Sequence, residues 1–259
     1  MKYAKIGDGP ERVILLHGWL GDHKVYWSIF PFLDIERYTY ILPDFRGYGL
    51  SRNIPGEFTC EEILNDTIAL ADRLAWKRFH LAGHSMGGKV VQMALARHPE
   101  RVICGVAITP VPASGVQFTK AQWDLFSNSV NDDALLYKIL DVTTGCRLPH
   151  RWLQAQVMHS RQTTKREAFQ SYLSSWARTD SSKGISGLIP LLVLVGDSDP
   201  AQTQAIMEGT CMRWFANASL QIIPGCGHYP MEEVPLHFVK LLEDFFFNAQ
   251  RQANSSDEL

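Results

Sequence analysis

A serine in the setting of a catalytic nucleophile lies in the segment Gly83-His84-Ser85-Met86-Gly87. This segment matches the pattern G-x-S-x-G, in which a sharp strand-to-helix turn presents the serine hydroxyl to a substrate. The glycines are needed because the backbone of such a turn is strained. Ser85 is therefore the candidate for attack on a carbonyl carbon. At the start of the following helix, the backbone N–H groups of Ser85 and Met86 would favour a developing anion.

A serine hydroxyl is a weak nucleophile, so it needs a base, and the base needs an acid to orient it. In folds with this serine turn, the acid and then the histidine follow the serine along the chain. His228 lies in the segment Gly225-Cys226-Gly227-His228-Tyr229-Pro230, just after a predicted strand that ends at Ile223. His237 lies inside the predicted last helix, where we interpret it as a packing or surface residue. His228 is the candidate base.

Two aspartates compete for the role of the acid. Both lie in Gly196-Asp197-Ser198-Asp199-Pro200, which follows the predicted strand Leu191–Val195. Asp197 and Asp199 are both placed to reach the sheet edge, and an aspartate at such a position also serves as a turn or cap residue. The residue types alone leave the choice between them open.

The elements that must position these residues alternate along the chain. Strands are predicted at Val13–Leu16, Tyr38–Leu42, Arg78–Ala82, Val102–Ile108, Leu191–Val195 and Ser219–Ile223. Helices are predicted from the Thr59 cap through Leu74 and at Met86–Arg97, Gln204–Phe215 and Val234–Phe247. The alternation predicts an α/β fold with a doubly wound, mostly parallel sheet. Binding sites in such sheets lie at the carboxyl ends of the strands.

The alternation stops between residues 111 and 185, where the pattern indicates helices only. Two segments there carry the capping-box signature of a helix start, Thr119 with Gln122 and Thr164 with Glu167. An all-helical block between two strands is too long for an ordinary crossover. We therefore predict an α/β core made of residues 1–110 and 186–259, with residues 111–185 inserted as an all-helical lid over the carboxyl edge of the sheet.

Composition sets limits on location and partners. The formal net charge is −2 and 46% of the residues are hydrophobic, which gives no electrostatic case for binding nucleic acid. We find neither a signal peptide nor an apolar run long enough to span a membrane. Five cysteines without C-x-x-C spacing favour a reducing, cytoplasmic setting. The segment Ser255–Leu259 faintly resembles a retrieval signal, but we expect a solvated tail.

No spacing typical of metal ligands and no phosphate-cradling loop is visible, so no metal and no cofactor is expected. Cys226 lies two residues before His228. We interpret it as a buried packing residue rather than a reactive thiol, because free cysteines are among the most buried residue types.

Five segments together resemble the α/β-hydrolase superfamily, in its lid-bearing branch of small esterases, cofactor-free perhydrolases and carbon–carbon hydrolases. In chain order they are His17-Gly18-Trp19, Asp44-Phe45-Arg46-Gly47-Tyr48-Gly49-Leu50-Ser51, Gly83 to Gly88, Gly196-x-x-Asp199 and Gly227-His228-x-Pro230. They follow the order found in the family and span nearly the whole chain. They are highly specific for the fold and the triad but weakly specific for the substrate.

The resemblance assigns roles to individual residues. In the family the acid lies three residues after the glycine, which favours Asp199 over Asp197. The residue after His-Gly typically gives one oxyanion-hole N–H, here that of Trp19, and Met86 gives the other. The turn from Asp44 to Ser51 is common to the branch and is interpreted as architectural. Haloalkane dehalogenases and epoxide hydrolases carry an aspartate at the nucleophile position, where this chain has a serine.

The resemblance implies a serine hydrolase of carboxylesterase type that cleaves an ester or related acyl bond of a small molecule through an acyl-enzyme. Two alternatives remain open. A carbon–carbon hydrolase or lyase would use the same triad, although the loop Trp19-Leu20-Gly21-Asp22 lacks the Gly-Pro-Gly type of sequence found in many of them. A ligand-binding receptor would reuse the fold without catalysis.

The predicted lid carries nine Lys and Arg against six Asp and Glu. We favour solvated helix faces as the explanation. The alternative is that basic residues at the pocket mouth select substrates with a carboxylate or phosphate, the candidates being Arg147, Arg151, Arg161 and Arg166. Large aromatic residues at helix positions are candidates to close the pocket from above, namely Trp123, Phe126, Trp152 and Trp176.

Overall fold

The computed structural model of the protein describes residues 1–257, with side chains through residue 255. Glu258 and Leu259, which complete the segment that resembles a retrieval signal, lie outside the described residues. Within residues 1–257, no helix combines the length and apolar character that crossing a bilayer requires.

A single sheet of seven strands organises the described part of the chain. The strands are β1 (Tyr3–Ile6), β2 (Glu11–Leu16), β3 (Tyr38–Pro43), β4 (Phe79–His84), β5 (Val102–Ile108), β6 (Leu191–Gly196) and β7 (Ala218–Ile223). Their order in space is β1-β3-β2-β4-β5-β6-β7. β1 runs antiparallel to β3, and every other neighbouring pair is parallel. The predicted doubly wound, mostly parallel sheet is confirmed.

The first strand is the one that the sequence pattern did not predict. β1 is four residues long and lies at the edge of the sheet, and its side chains alternate between exposed and half-buried. The central strands β3, β4 and β6 are buried at every position, because helices cover both faces of a parallel sheet. In a sequence, a continuous apolar run is easier to recognise than a short edge strand with one solvent-exposed face.

Helices connect the strands and cover the sheet. They are α1 (Cys60–Arg73), α2 (Met86–Arg97), α3 (Lys120–Asn128), α4 (Asp133–Thr143), α5 (His150–Thr163), α6 (Arg166–Arg178), α7 (Gln204–Gly209), α8 (Cys211–Trp214), α9 (Pro230–Glu233) and α10 (Pro235–Asp257). Two 3-10 segments occur at His23–Phe32 and Gly49–Ser51. α2 packs against β4 and β5, and its first ten residues are buried. The helix that follows Ser85 is therefore enclosed by the protein over most of its length.

Some predicted helix boundaries differ from the structure. The predicted helix Gln204–Phe215 is split into α7 and α8 at Thr210, whose backbone leaves the helical region with φ −129° and ψ −95°. Thr164 was expected to cap a helix but instead ends α5, and α6 begins after Lys165 with no side-chain cap. The other predicted capping box, Thr119 with Gln122, is present at the start of α3.

The segment between β5 and β6 carries α3 to α6, and three contacts join it to α2 and to the loop after β2. The buried ammonium of Lys89 on α2 donates to the backbone carbonyls of Trp176 (3.1 Å) and Thr179 (2.5 Å) at the end of α6. The ring of His159 on α5 pairs with the carboxylate of Asp22 at 2.9 Å. The indole N–H of Trp19 donates to a carbonyl of α6, as described below. The helical segment therefore rests on the loops that surround Ser85.

The turn that begins at Asp44 is built around one buried carboxylate. Asp44 is fully buried and accepts hydrogen bonds from the backbone N–H and ring Nδ1 of His23 and from the backbone N–H of Leu50. A buried carboxylate is stable only when its oxygens are paired in this way. Asp44 thus ties the loop after β2 to the turn after β3, as an architectural role requires.

The pair of His23 and Asp44 predicts a pH dependence of stability. Burial alone would lower the pKa of His23, but the hydrogen bond and charge of Asp44 outweigh it and raise that pKa. Because the folded-state pKa is raised, the stabilising contribution is complete below the ordinary histidine pKa of about 6.5 and is lost as the pH rises through the folded value. We expect His23→Gln to lower the free energy of unfolding more at pH 5.5 than at pH 8.5. Urea unfolding at both values tests this, and a cost that grows with pH would contradict it.

Candidate active site

The turn that carries Ser85 is strained and tightly packed. Ser85 lies between the end of β4 and the start of α2, with φ 52° and ψ −110°, a combination that L-residues rarely adopt. Its backbone N–H donates to the carbonyl of Ile108 at 2.9 Å. A Cβ at Gly83 would meet the carbonyl of Gly87 at 2.4 Å, so only glycine fits there. Ser85 itself is half-buried between fully buried neighbours, which leaves its hydroxyl a route to a substrate.

His228 and Asp199 form a buried hydrogen-bonded pair. The ring Nδ1 of His228 lies 2.6 Å from Oδ2 of Asp199, and Asp199 is 3% exposed. The other oxygen of Asp199 accepts from the backbone N–H groups of Ala201 (2.8 Å) and Gln202 (3.2 Å). A carboxylate held in this way accepts a hydrogen bond from the N–H at Nδ1, so Nε2 of the imidazole is the nitrogen able to accept a proton.

Asp197 has a different role. Its exposed carboxylate accepts from the backbone N–H groups of Gly225 (2.9 Å) and Cys226 (3.3 Å) and from the hydroxyl of Ser198 (2.9 Å). The bond from Gly225, followed by that from Ser198, lowers the pKa of Asp197. Asp197 therefore braces the loop that leads to His228, whereas Asp199 contacts the imidazole.

His84 is a site residue that the sequence interpretation missed. It is the first variable residue of the serine motif, and its buried ring lies 4.9 Å from that of His228. Its Nε2 lies 2.8 Å from the carbonyl oxygen of His228, and the hydroxyl of Thr109 donates to the same oxygen at 3.0 Å. Burial, then the charge of His228, lowers the pKa of His84 well below its usual value. A neutral His84 with its proton on Nε2 holds the His228 loop against the serine turn.

The loop His17-Gly18-Trp19 passes directly against the nucleophile. A Cβ at Gly18 would lie 3.3 Å from Cβ of Ser85 and 2.7 Å from Nδ1 of His84. The ring of His17 fixes this loop, because Nδ1 donates to the carbonyl of Gly18 at 2.7 Å and Nε2 accepts from the N–H of Phe45 at 3.1 Å. Trp19 comes directly after Gly18, and Met86 comes directly after Ser85, so both residues start beside the nucleophile. The structure brings both predicted oxyanion residues to the serine, and their role as donors stays a prediction.

Aromatic side chains of α3 and α6 enclose the side chain of Trp19. Its indole N–H donates to the carbonyl of Phe169 at 2.8 Å, and the two rings stack with centroids 4.1 Å apart and an interplanar angle of 6°. Phe126 stacks on Trp19 at 5.8 Å, and Trp176 meets it edge-on at 5.6 Å. Together these rings form an apolar wall beside the loop His17-Gly18-Trp19.

The other two aromatic residues proposed to close the pocket lie elsewhere. Trp152 contacts Tyr229, the neighbour of His228, with ring centroids 5.4 Å apart. The ring of Trp123 lies under the guanidinium of Arg178 at 3.2 Å, so Trp123 packs within the helical segment instead.

The basic residues of the helical segment also separate into groups. Arg147 pairs with Glu233 at 3.0 Å and donates to the carbonyl of Gly225, so it braces the His228 loop. Arg161 pairs with Asp133 at 2.7 Å. Arg151 is exposed, and Arg166 is exposed and lines a cavity beside Arg161. The first two are engaged by the protein itself and do not serve as free anion contacts.

Among the described residues, Asp22, His23 and Asp44 form a group whose ligand atoms lie within 4.8 Å of one another. These atoms already have protein partners: Asp44 accepts three N–H groups, and Asp22 accepts from Lys24 N–H and His159. Burial would raise the pKa of Asp22, but the hydrogen bond and charge of His159 lower it to about 2. We interpret the group as a structural hydrogen-bond network rather than a metal centre.

The family model described as "alpha/beta hydrolase fold" matches residues 11–235. The chain is 27% identical to a pimeloyl-[acyl-carrier protein] methyl ester esterase of Serratia marcescens, over 94% of this chain and 96% of the relative. A protein of the same description from Legionella pneumophila is also 27% identical, over 93% and 97%. An esterase from Exiguobacterium antarcticum superposes with a TM-score of 0.84 at 20% identity, covering 94% of each chain. At that identity the structural likeness establishes the fold alone.

The two aspartates give a matched pair of variants. We expect Asp199→Asn to reduce kcat by about 10³- to 10⁴-fold, because the imidazole loses the partner that fixes its tautomer. Asp197→Asn removes a charge two residues away and should cost less than about tenfold, which corresponds to 1.4 kcal/mol. Steady-state rates on a nitrophenyl ester compare the two, with circular dichroism to check folding. The reverse order of effects would assign the acid to Asp197.

The cysteines give a second prediction. Cys226 is fully buried, as expected, and burial raises the pKa of its thiol. Cys146 is the exposed thiol of the five. Since the thiolate is the reactive form, we expect iodoacetamide to modify Cys146 first and to leave activity intact. Peptide mass spectrometry alongside rate measurements tests this. Inactivation that is prevented by Cys226→Ala but not by Cys146→Ala would make Cys226 a reactive residue of the site.

Proposed function

We propose that this chain, which belongs to the alpha/beta hydrolase fold family and is an ester hydrolase of that fold, cleaves carboxylic esters with Ser85, His228 and Asp199 as its catalytic triad. The observation that carries the proposal is the buried 2.6 Å hydrogen bond between His228 Nδ1 and Asp199, held beside the strained Ser85 turn through His84. A serine with this backbone conformation and an imidazole so oriented are the parts that nucleophilic acyl transfer needs.

The proposed reaction proceeds in two halves. The hydroxyl oxygen of Ser85 attacks the ester carbonyl while Nε2 of His228 takes its proton, and Asp199 stabilises the imidazolium. The backbone N–H groups of Trp19 and Met86 stabilise the oxyanion, each contributing about 3 kcal/mol to lowering the barrier. The proton on His228 then passes to the leaving alcohol, and an acyl-enzyme remains on Ser85. Water, deprotonated by His228, releases the acid and restores the serine.

We further propose that residues 111–185 act as a lid over this site. Support comes from the aromatic wall that Phe126, Phe169 and Trp176 build against Trp19, and from the hydrogen bond between His159 and Asp22. A mostly apolar wall favours an uncharged acyl or alkyl part of the substrate next to the scissile bond. Closing helices over the site would also exclude bulk water from the oxyanion.

Small-molecule esters are the proposed substrates. The relatives from Serratia marcescens and Legionella pneumophila are pimeloyl-[acyl-carrier protein] methyl ester esterases, which makes esters of short alcohols the first compounds to test. Cleavage of a carbon–carbon bond by the same triad is the alternative outcome. The cytoplasmic location stays a prediction.

Replacement of Ser85 tests the nucleophile. We expect Ser85→Ala to fold normally, to lose turnover of nitrophenyl esters by at least about 10⁴-fold, and to lose labelling by a fluorophosphonate probe. Ser174→Ala is the matched control because Ser174 is an exposed serine on α6, and it should behave as the wild type. Activity of Ser85→Ala within about tenfold of the wild type would refute the triad. Labelling of the wild type without turnover of any ester would favour the carbon–carbon alternative.

A further inference from the structure

A cavity of about 390 Å³ lies where the helical segment meets the turn after β3. Its lining residues are Arg52, Val130, Asn131, Asp133, Ser160, Arg161, Thr164, Arg166 and Phe169. None of the triad residues lines it, so it is distinct from the space around Ser85. Three guanidinium groups and one carboxylate give its walls two net positive charges.

The three arginines of the cavity are not equivalent. Arg161 is fixed by the carboxylate of Asp133 (2.7 Å) and by the carbonyls of Ser129 (2.6 Å) and Val130 (2.8 Å). Within the described part of the chain, Arg52 and Arg166 have no carboxylate within 4 Å. The charge of Arg161 is neutralised by Asp133, so Arg161 contributes only to the shape of the cavity. Arg52 and Arg166 carry the uncompensated positive charge of the cavity.

A buried hydroxyl without a partner supplies an independent observation. Thr164 is 8% exposed, and its Oγ1 is buried and makes no hydrogen bond in the described structure. The adjacent Thr163, by contrast, donates its hydroxyl to the carbonyl of His159 at 2.8 Å. Leaving a buried hydroxyl unpaired is unfavourable, because it has lost its hydrogen bonds to water and gained none in return. A group bound in the cavity that accepts this hydrogen bond would remove that cost.

Phe169 connects the cavity to the proposed active site. It lines the cavity and stacks on the indole of Trp19, with centroids 4.1 Å apart. Phe169 is therefore shared between the lining of the cavity and the aromatic wall beside the proposed active site. This shared residue is the ground for assigning Arg52 and Arg166 to the far end of a substrate bound at Ser85.

We propose that this cavity is an anion subsite, which holds a carboxylate or phosphate group at the end of the substrate remote from the scissile ester. The guanidinium groups of Arg52 and Arg166 bind that group, because their planar forks match the oxygens of both anions. The hydroxyl of Thr164 donates a further hydrogen bond to it. Arg52 belongs to the proposed α/β core, whereas Thr164 and Arg166 belong to the helical segment. An anion bound by all three residues therefore bridges the α/β core and the helical segment. The subsite rests on the proposed function of Ser85.

A matched pair of substrates tests the subsite. The pair is a series of nitrophenyl monoesters of dicarboxylic acids and the same series with the remote carboxylate replaced by a primary amide. At the best chain length we expect kcat/KM to be at least about tenfold higher for the carboxylate. This preference should fade as salt rises, because exposed charges are screened beyond about 10 Å at 0.1 M.

Three variants locate the effect. Arg52→Gln and Arg166→Gln should each lose most of the preference, measured as the ratio of kcat/KM on the carboxylate ester to kcat/KM on the matched amide. Arg151→Gln is the matched control, because Arg151 is an exposed arginine of α5 that does not line the cavity and its loss changes the net charge equally. If all three variants had equal effects, the preference for the carboxylate would come from the overall positive charge of the helical segment. That result would overturn the subsite.

Inorganic phosphate gives a readout that does not depend on turnover. We expect phosphate to raise the Tm of the wild type, since a ligand that binds only the folded state stabilises it, and this shift should disappear in Arg166→Gln. Thr164→Val should not lower the Tm without phosphate, because it removes an unpaired hydroxyl, but should gain less from phosphate. If phosphate raised the Tm of the wild type, Arg166→Gln and Thr164→Val by the same amount, the anion site would be overturned.

The outcomes separate the two proposals and the two sources of the anion. If neither ester series is cleaved while phosphate binding depends on Arg166, the proposed function fails and an anion site remains. If both series are cleaved equally, the subsite fails and the function stands. If phosphate changes turnover of the amide esters in the wild type but not in Arg166→Gln, the cavity is a site for a separate small anion, which overturns its assignment to the substrate.

Discussion

The close approach of three backbone segments at Ser85 is the constraint on which the rest of the site depends. The strand-to-helix turn reaches φ 52° at Ser85 only because Gly83 and Gly87 leave no Cβ in the way, and the loop at Gly18 then packs directly on the serine. A non-glycine residue in this backbone region costs of order 1–3 kcal/mol, which the surrounding structure must repay. Here the buried α2 and the flanking strands do so.

Two histidines that do no proposed chemistry transmit this constraint to the residues that do. His17 fixes the loop that carries Gly18 and Trp19, and His84 holds the carbonyl of His228. Burial lowers the pKa of both, so each stays neutral and acts as one donor with a fixed direction. The pair of His228 and Asp199 is thus positioned by neutral hydrogen bonds, which leaves Asp199 as the charge in direct contact with the imidazole.

The sequence was sufficient for the parts of the molecule whose geometry is dictated locally. The serine turn, the buried strands and the α3 capping box follow from residue types at fixed spacing, and the residues predicted for the site lie together at one sheet edge. The edge strand β1, the break at Thr210 and the end of α5 at Thr164 depend on packing between distant segments. The contact of His84 with His228 spans 144 residues, so only the folded chain shows why that motif position holds a histidine.

Direct observation of the acyl-enzyme tests the central claim most sharply. A short-chain nitrophenyl ester is mixed with the enzyme, the reaction is quenched with acid during turnover, and the digest is analysed by mass spectrometry. The account predicts a burst of nitrophenol close to one equivalent per chain and one acyl group on the peptide that contains Ser85, at the serine itself. An acyl group on another residue, or turnover that proceeds with no covalent intermediate in quenched samples and no burst, would contradict it.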